Sequence, residues 1–151
     1  MKALLIGIFF LQAFLILTDE FYCHWRRQLP NWERWGHPLD TFFLLLPLSL
    51  LILVPGLSVY LYAGLAVFSC LLITKDEWVH VIRCSAFEKW LHALLFMIHP
   101  AVFVLAWIVK QRLGLPAWIL LPITGFLIYQ LIYWNVYEPN SFRIRPQNRK
   151  Q

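Results

Sequence analysis

The chain has 151 residues, of which 60% are apolar or aromatic and only 14% charged, and its mean hydropathy is +0.63. A soluble domain is about half apolar and about a quarter charged, so this chain cannot enclose its apolar side chains in one water-soluble core. The same hydrophobicity excludes disorder, and three cysteines exclude a disulfide-stapled secreted framework.

Five apolar stretches follow in order: Ala3 to Thr18, Thr41 to Val54, Leu57 to Thr74, Leu91 to Val109 and Ala117 to Asn135. A spanning helix needs about 20 residues. The second stretch reaches that length only by starting near Pro38, a residue suited to the first turn of a helix. The first stretch is expected to continue into Asp19–Trp25 and leave the bilayer there. Met1-Lys2 and the apolar run behind it resemble a signal peptide but lack a small-x-small cleavage site before Thr18-Asp19-Glu20, so the stretch reads as a retained span.

Punctuation separates these stretches. Pro55-Gly56 predicts a tight turn between spans two and three. Ser85-Ala86-Phe87-Glu88 reads as a capping box opening span four. Leu113-Gly114-Leu115-Pro116 breaks the chain before span five. The expected fold is an all-α integral membrane protein with about five transmembrane helices, the first four forming an up-down bundle. Residues 1–137 form the single transmembrane domain and 138–151 a polar, basic tail.

Five spans place the segments 19–40, 75–90 and the tail on one side. That side holds Arg26, Arg27, Arg34, Lys75, Arg83, Lys89, Arg143, Arg145, Arg149 and Lys150, against Lys2, Lys110 and Arg112 on the other. The positive-inside bias then puts the N-terminus outside and the tail in the cytoplasm, in an inner or plasma membrane. A four-span arrangement would move the tail to the opposite face. The net charge of +5 is explained by these loops, and no nucleic-acid motif accompanies it.

All eight acidic residues fall on the inferred cytoplasmic side, as do His24, His37, His80 and His92. Glu20-x-x-x-His24 ends span one, His37-Pro-Leu-Asp40 begins span two, Glu77-x-x-His80 ends span three, and Glu88-x-x-x-His92 begins span four. Residues three or four apart share a helix face, so each of four helix ends is expected to present a carboxylate and an imidazole together. A faint repeat, Thr18-Asp19-Glu20-Phe21-Tyr22-Cys23-His24 against Thr74-Lys75-Asp76-Glu77-Trp78-Val79-His80, suggests a pseudo-twofold arrangement of two hairpins.

That donor set suits divalent transition metals, two irons in the leading reading and zinc as an option. Glu77-x-x-His80 resembles the Glu-x-x-His motif of soluble four-helix di-iron proteins. First-choice ligands are Glu20, His24, Glu77, His80, Glu88 and His92, followed by His37 and Asp40. His99, seven residues beyond His92, is a deeper ligand, a substrate contact, or a packed ring bonded to a carbonyl freed by Pro100. Tyr133 is a redox or hydrogen-bonding neighbour, with Tyr129, Gln130 and Asn135 as further donors.

Several of these residues also have purely structural readings. Glu88 completes a cap with Ser85, Asp40 favours a helix dipole, and Asp19, Asp76 and Glu33 pair with surface cations. Trp25, Trp32, Trp35, Trp78, Trp90 and Trp134 form an interfacial belt. Cys23 and Cys84 lie beside the proposed site, where thiolate ligation is open to them, and Cys70 is a small buried hydrophobe.

The expected function is oxidation of a membrane lipid or quinone-like substrate by a hydroxylase- or desaturase-type enzyme, with an electron-donor protein as partner. Two alternatives stand beside it: a metal-ion or proton transporter, and a non-catalytic accessory subunit.

Overall fold

The computed structural model describes residues 2–25, 31–75, 77 and 85–137. His80, Asp76, Trp78, Arg83, Cys84, Arg26, Arg27 and the whole 138–151 tail lie outside the described residues. All regular structure among the described residues is helical: α1 Lys2–Thr18, α2 Asn31–Leu53, α3 Val59–Leu72, α4 Ala86–Leu113 and α5 Leu120–Ile132. Two π-helical segments extend the helices: Asp19–His24 continues α1, and Tyr133–Tyr137 continues α5.

Among the described residues, four continuous helical stretches are long and apolar enough to cross a membrane: Lys2–His24, Trp32–Leu53, Ala86–Leu113 and Ala117–Tyr137. Their outward surfaces carry large apolar side chains, with Phe10 73%, Met97 72% and Leu121 71% exposed. Their interior holds carboxylates, imidazoles and amides. A water-soluble monomer rarely exposes so much contiguous apolar surface; a bilayer favours this inverted distribution.

The lengths of the second and third stretches differ from expectation. α2 has 23 residues and keeps Pro38 and Pro47 inside it, rather than starting at Pro38. Each proline removes one N–H donor and frees the carbonyl four residues earlier, so packing rather than propensity carries the helix through. α3, by contrast, has 14 residues. At 1.5 Å per residue that is about 21 Å, short of a hydrocarbon core of about 30 Å.

The punctuation forms as expected. Gly56 and Gly114 both adopt φ +71°, a left-handed value that glycine reaches without steric cost. The Gly114 N–H closes α4 on the Lys110 carbonyl. At the other end of α4, Ser85 is the N-cap, its hydroxyl accepting the Glu88 N–H at 3.2 Å.

The helices meet at three levels. At one end, Lys110 Nζ donates to the Ile52 carbonyl at 3.0 Å, and the Tyr62 hydroxyl donates to the Phe103 carbonyl at 2.8 Å. Around them packs an apolar core that includes Leu5, Leu48, Leu51, Val102, Ala106 and Val109.

The middle level is a polar lock. Gln12 Nε2 donates to His99 Nδ1 at 2.8 Å, which leaves the imidazole proton on Nε2, facing Ser69 Oγ at 2.9 Å. This lock ties α1, α4 and α3 together, and His99 bonds these side chains rather than a carbonyl freed by Pro100. Interhelical hydrogen bonds in membranes average under 1 kcal/mol, but stranding two buried polar groups costs more. His99→Phe is therefore expected to lower stability by about 1–3 kcal/mol in a detergent unfolding titration, with metal content unchanged. Loss of metal in a folded His99→Phe protein would contradict a purely packing role.

The third level, at the opposite end of the helices from Lys110, gathers the acidic and imidazole side chains.

Candidate metal centre

The buried face of α1 runs through Leu5 and Gln12 and, seven residues on, reaches Asp19. An α-helix advances about 100° per residue, which would set Asp19 and His24 on different sides and align Glu20 with His24. The π-helical segment changes that alignment. Its wider turn is closed by the Trp25 N–H on the Glu20 carbonyl at 3.0 Å, an i to i+5 bond. Asp19 and His24 consequently come together, and Glu20 turns away toward α5.

Asp19 is the centre of the cluster and lies in the interior rather than at the surface. It is 7% exposed. His24 Nε2 donates to its Oδ2 at 3.1 Å, and His92 Nε2 from α4 donates to its Oδ1 at 3.2 Å. One ligand atom from each of Asp19, His24 and His92 lies within 4.8 Å of the other two, and all three residues are buried. A second such group combines Asp19 with Cys23 and Glu88. Metal–nitrogen and metal–oxygen bonds of about 2.1 Å set neighbouring ligand atoms about 3.0–3.4 Å apart. The observed nitrogen-to-oxygen separations of 3.1 and 3.2 Å, one to each oxygen of Asp19, fall within that spacing as well as within that of hydrogen bonds, so these residues could hold a divalent cation after a small movement of the two rings.

The other sequence-nominated ligands take varied positions. Glu20, 2% exposed, accepts from Gln130 Nε2 at 3.0 Å and from the Trp134 indole. Gln130 Oε1 accepts in turn from the Thr41 hydroxyl at 2.7 Å. Glu20 thus ties α1 to α5 and, through Gln130, to α2. Trp134 is 1% exposed and belongs to this tie, whereas Trp25, Trp32, Trp35 and Trp90 remain on the surface as a belt would.

His37 sits with its ring centroid 4.7 Å from that of His24, and its Nε2 is buried without a hydrogen-bond partner. Asp40 Oδ2 accepts from Lys75 Nζ at 2.6 Å, a half-exposed pair at the rim. Glu77 is half-buried, with Oε2 buried and unpartnered. Its motif companion His80 lies outside the described residues, and so does most of the 74–80 half of the repeat.

Glu88 is fully buried beside Asp19 and Cys23, and its N–H is the one that Ser85 caps. Glu33 is buried too, not solvated as a surface partner of nearby cations. Tyr133 stacks between Tyr129 and Tyr137, centroids 5.3 and 5.9 Å away, and meets Trp134 edge-on at 4.9 Å.

A cavity of about 90 Å³ separates the cluster from the His99 lock. Asp19, His37 and His92 line one part of it, and Ile16, Leu44, Leu95 and Phe96 supply apolar wall. Gln12 and His37, which also line it, hold the buried atoms Oε1 and Nε2 without partners. A space of this size, mostly apolar with a few polar groups on its wall, has room for a few small molecules such as water or a diatomic gas.

Sequence reasoning passed over Asp19 as a ligand because it assumed α-helical spacing. The available signal was Gln12, a polar residue seven positions earlier in an apolar stretch. Its presence marks the inward face, and the same face carries Asp19. Comparison with family models, with curated proteins and with solved structures returned no match to this chain.

Proposed function

We propose that the chain is a membrane-embedded, metal-dependent oxidoreductase acting on a lipid-soluble substrate, with Asp19, His24 and His92 as the core ligands. The observation that carries this reading is the meeting of two imidazole nitrogens on the two oxygens of one buried carboxylate. Two histidines and one carboxylate, with coordination positions left open, are the donor set of non-haem iron oxygenases; zinc suits the same donors. A bound iron would supply dioxygen activation there.

The chain's own residues do the rest. Asp19 balances charge and orients both rings. The apolar wall of the cavity limits water beside the ligands, and His37 Nε2 offers an unused donor or acceptor toward the cavity. A lipid chain is too long for this cavity. An open groove formed by Phe14, Leu17, Thr18, Phe21, Tyr22 and Phe87 gives it a place along the outside of α1, next in sequence to Asp19, Cys23 and Glu88. Tyr133 serves as a hydrogen-bonding or redox neighbour through Trp134, and an electron-donor protein would dock at the same end.

In this reading all five helices cross an inner or plasma membrane in alternating directions, α3 as a short span. The N-terminus is outside and the basic segments lie in the cytoplasm. The described contacts support alternation: Glu20, Thr41, His92 and Gln130 share one level, while Ile52 and Lys110 share another.

Elemental analysis of the detergent-purified chain tests the proposal. Wild type should carry iron or zinc in at least stoichiometric amount, and His92→Ala should lose most of it while remaining monodisperse. Equal metal content in the two proteins, or metal-dependent flux into sealed vesicles without substrate oxidation, would defeat the enzyme reading, the latter in favour of a transporter.

A further inference from the structure

We propose a second cation position formed by Asp19, Cys23 and Glu88, with Asp19 as the carboxylate shared between the two positions and Cys23 as a thiolate ligand. The inference rests on the reading of Asp19, His24 and His92 as a metal position and adds a ligand chemistry to it.

An oxygen of Asp19, the Cys23 sulfur and an oxygen of Glu88 lie within 4.8 Å of one another. Cys23 is 6% exposed, Asp19 7% and Glu88 0%. Two carboxylates this close, away from water, repel each other, and a cation between them would relieve that repulsion. The imidazoles of His24 and His92 already share Asp19, one on each oxygen.

His24 belongs to the same cluster, interacting electrostatically with Glu88 as well as with Asp19. It is 2% exposed, yet its Nδ1 has no hydrogen-bond partner. A buried ring nitrogen without a partner is costly and is a natural donor to a cation.

Local sequence explains why the sulfur lies beside the two carboxylates. Asp19 and Cys23 are four apart on the π-helical extension of α1, and Glu88 enters from the first turn of α4. Cys23 forms no disulfide. Sulfur among carboxylates selects zinc, iron or cobalt over magnesium or calcium, which prefer oxygen alone.

Cobalt(II) is the probe, because thiolate ligation gives it a near-ultraviolet charge-transfer absorption that carboxylate and imidazole do not. The reduced, detergent-purified chain should bind two cobalt ions and show that absorption. Cys23→Ser should bind one, lose the absorption and keep the visible bands of the histidine position. Because Cys70 and Cys84 are also thiols, a variant with both replaced by Ser should keep the full absorption, and this variant decides the matter if Cys23→Ser does not fold. One cobalt per chain with no thiolate absorption would overturn the second position while leaving the histidine position intact. An absorption that survives Cys23→Ser would overturn the role of Cys23. Binding of no cobalt at all would overturn both readings, and that outcome is separable from the others by stoichiometry.

Discussion

Replacing Asp19 with Asn is expected to remove at least nine-tenths of the bound metal and to destabilise the helix bundle. The side chain keeps its shape, so the effect isolates the carboxylate. Wild-type Asp19 accepts one N–H from His24 and one from His92. An amide offers one oxygen and one NH₂, so one imidazole either loses its acceptor or moves its proton to the other ring nitrogen, which for His24 has no partner. A buried mismatch of this kind costs about 1–3 kcal/mol. Asp19→Ala, which leaves both rings without an acceptor, should cost about 3–5 kcal/mol, the range for breaking a buried charged pair. Metal loss has a separate cause: the neutral amide no longer balances a divalent charge between two imidazoles. Metal content by mass spectrometry and a denaturant titration in detergent read the two effects. An Asp19→Asn protein that keeps its metal would show that the carboxylate is only a helix-to-helix tie.

Glu20 carries the opposite expectation. Trp134→Phe, which removes one of its two observed donors, should lower stability by about 2 kcal/mol, the scale of a hydrogen bond to a charged acceptor. Glu20→Gln should cost a comparable amount. The two changes should be non-additive, with a coupling of about 1–2 kcal/mol, because both break the same contact. Neither should strip the metal, since Glu20 faces Gln130 and Trp134 rather than the imidazoles. Metal loss from a well-folded Trp134→Phe protein would restore Glu20 to the ligand set. Run side by side, Asp19→Asn and Trp134→Phe separate binding from packing at neighbouring positions on one helix.

The contrast between Asp19 and Glu20 shows how far the sequence could be read. Composition and stretch lengths were sufficient for helices with apolar exteriors, because a chain this hydrophobic has no other way to satisfy its backbone in a bilayer. Pro55-Gly56, Ser85 and Gly114 were legible as helix boundaries because their roles depend on local geometry. The meeting of acids and histidines from α1 and α4 was also legible, since a carboxylate and an imidazole stand together where each of those stretches ends or begins.

The choice among those acids was legible only in part. Gln12 marks the face that carries Asp19, but whether His24 meets Asp19 or Glu20 depended on whether the turn after Thr18 is α or π, a difference that 3.6-residue spacing does not encode. The lengths of α2 and α3 were likewise set by packing: Pro38 and Pro47 lie within a 23-residue helix, against their local preference. Trp134 reads as a belt residue by type and position, and only its neighbour Glu20 makes it a buried donor.

Sequence alone thus determined that the chain is helical, with stretches long and apolar enough to cross a membrane and with acids and histidines grouped at their ends, because hydrophobicity and residue order are properties of the chain read along its length. Tertiary structure decided that Asp19 rather than Glu20 meets His24 and His92, that Cys23 and Glu88 stand beside it, and that His99 closes a lock with Gln12 and Ser69. The physical reason is that most of these contacts join residues far apart in the chain, and a single widened turn brings His24 round to the carboxylate on the inward face of α1.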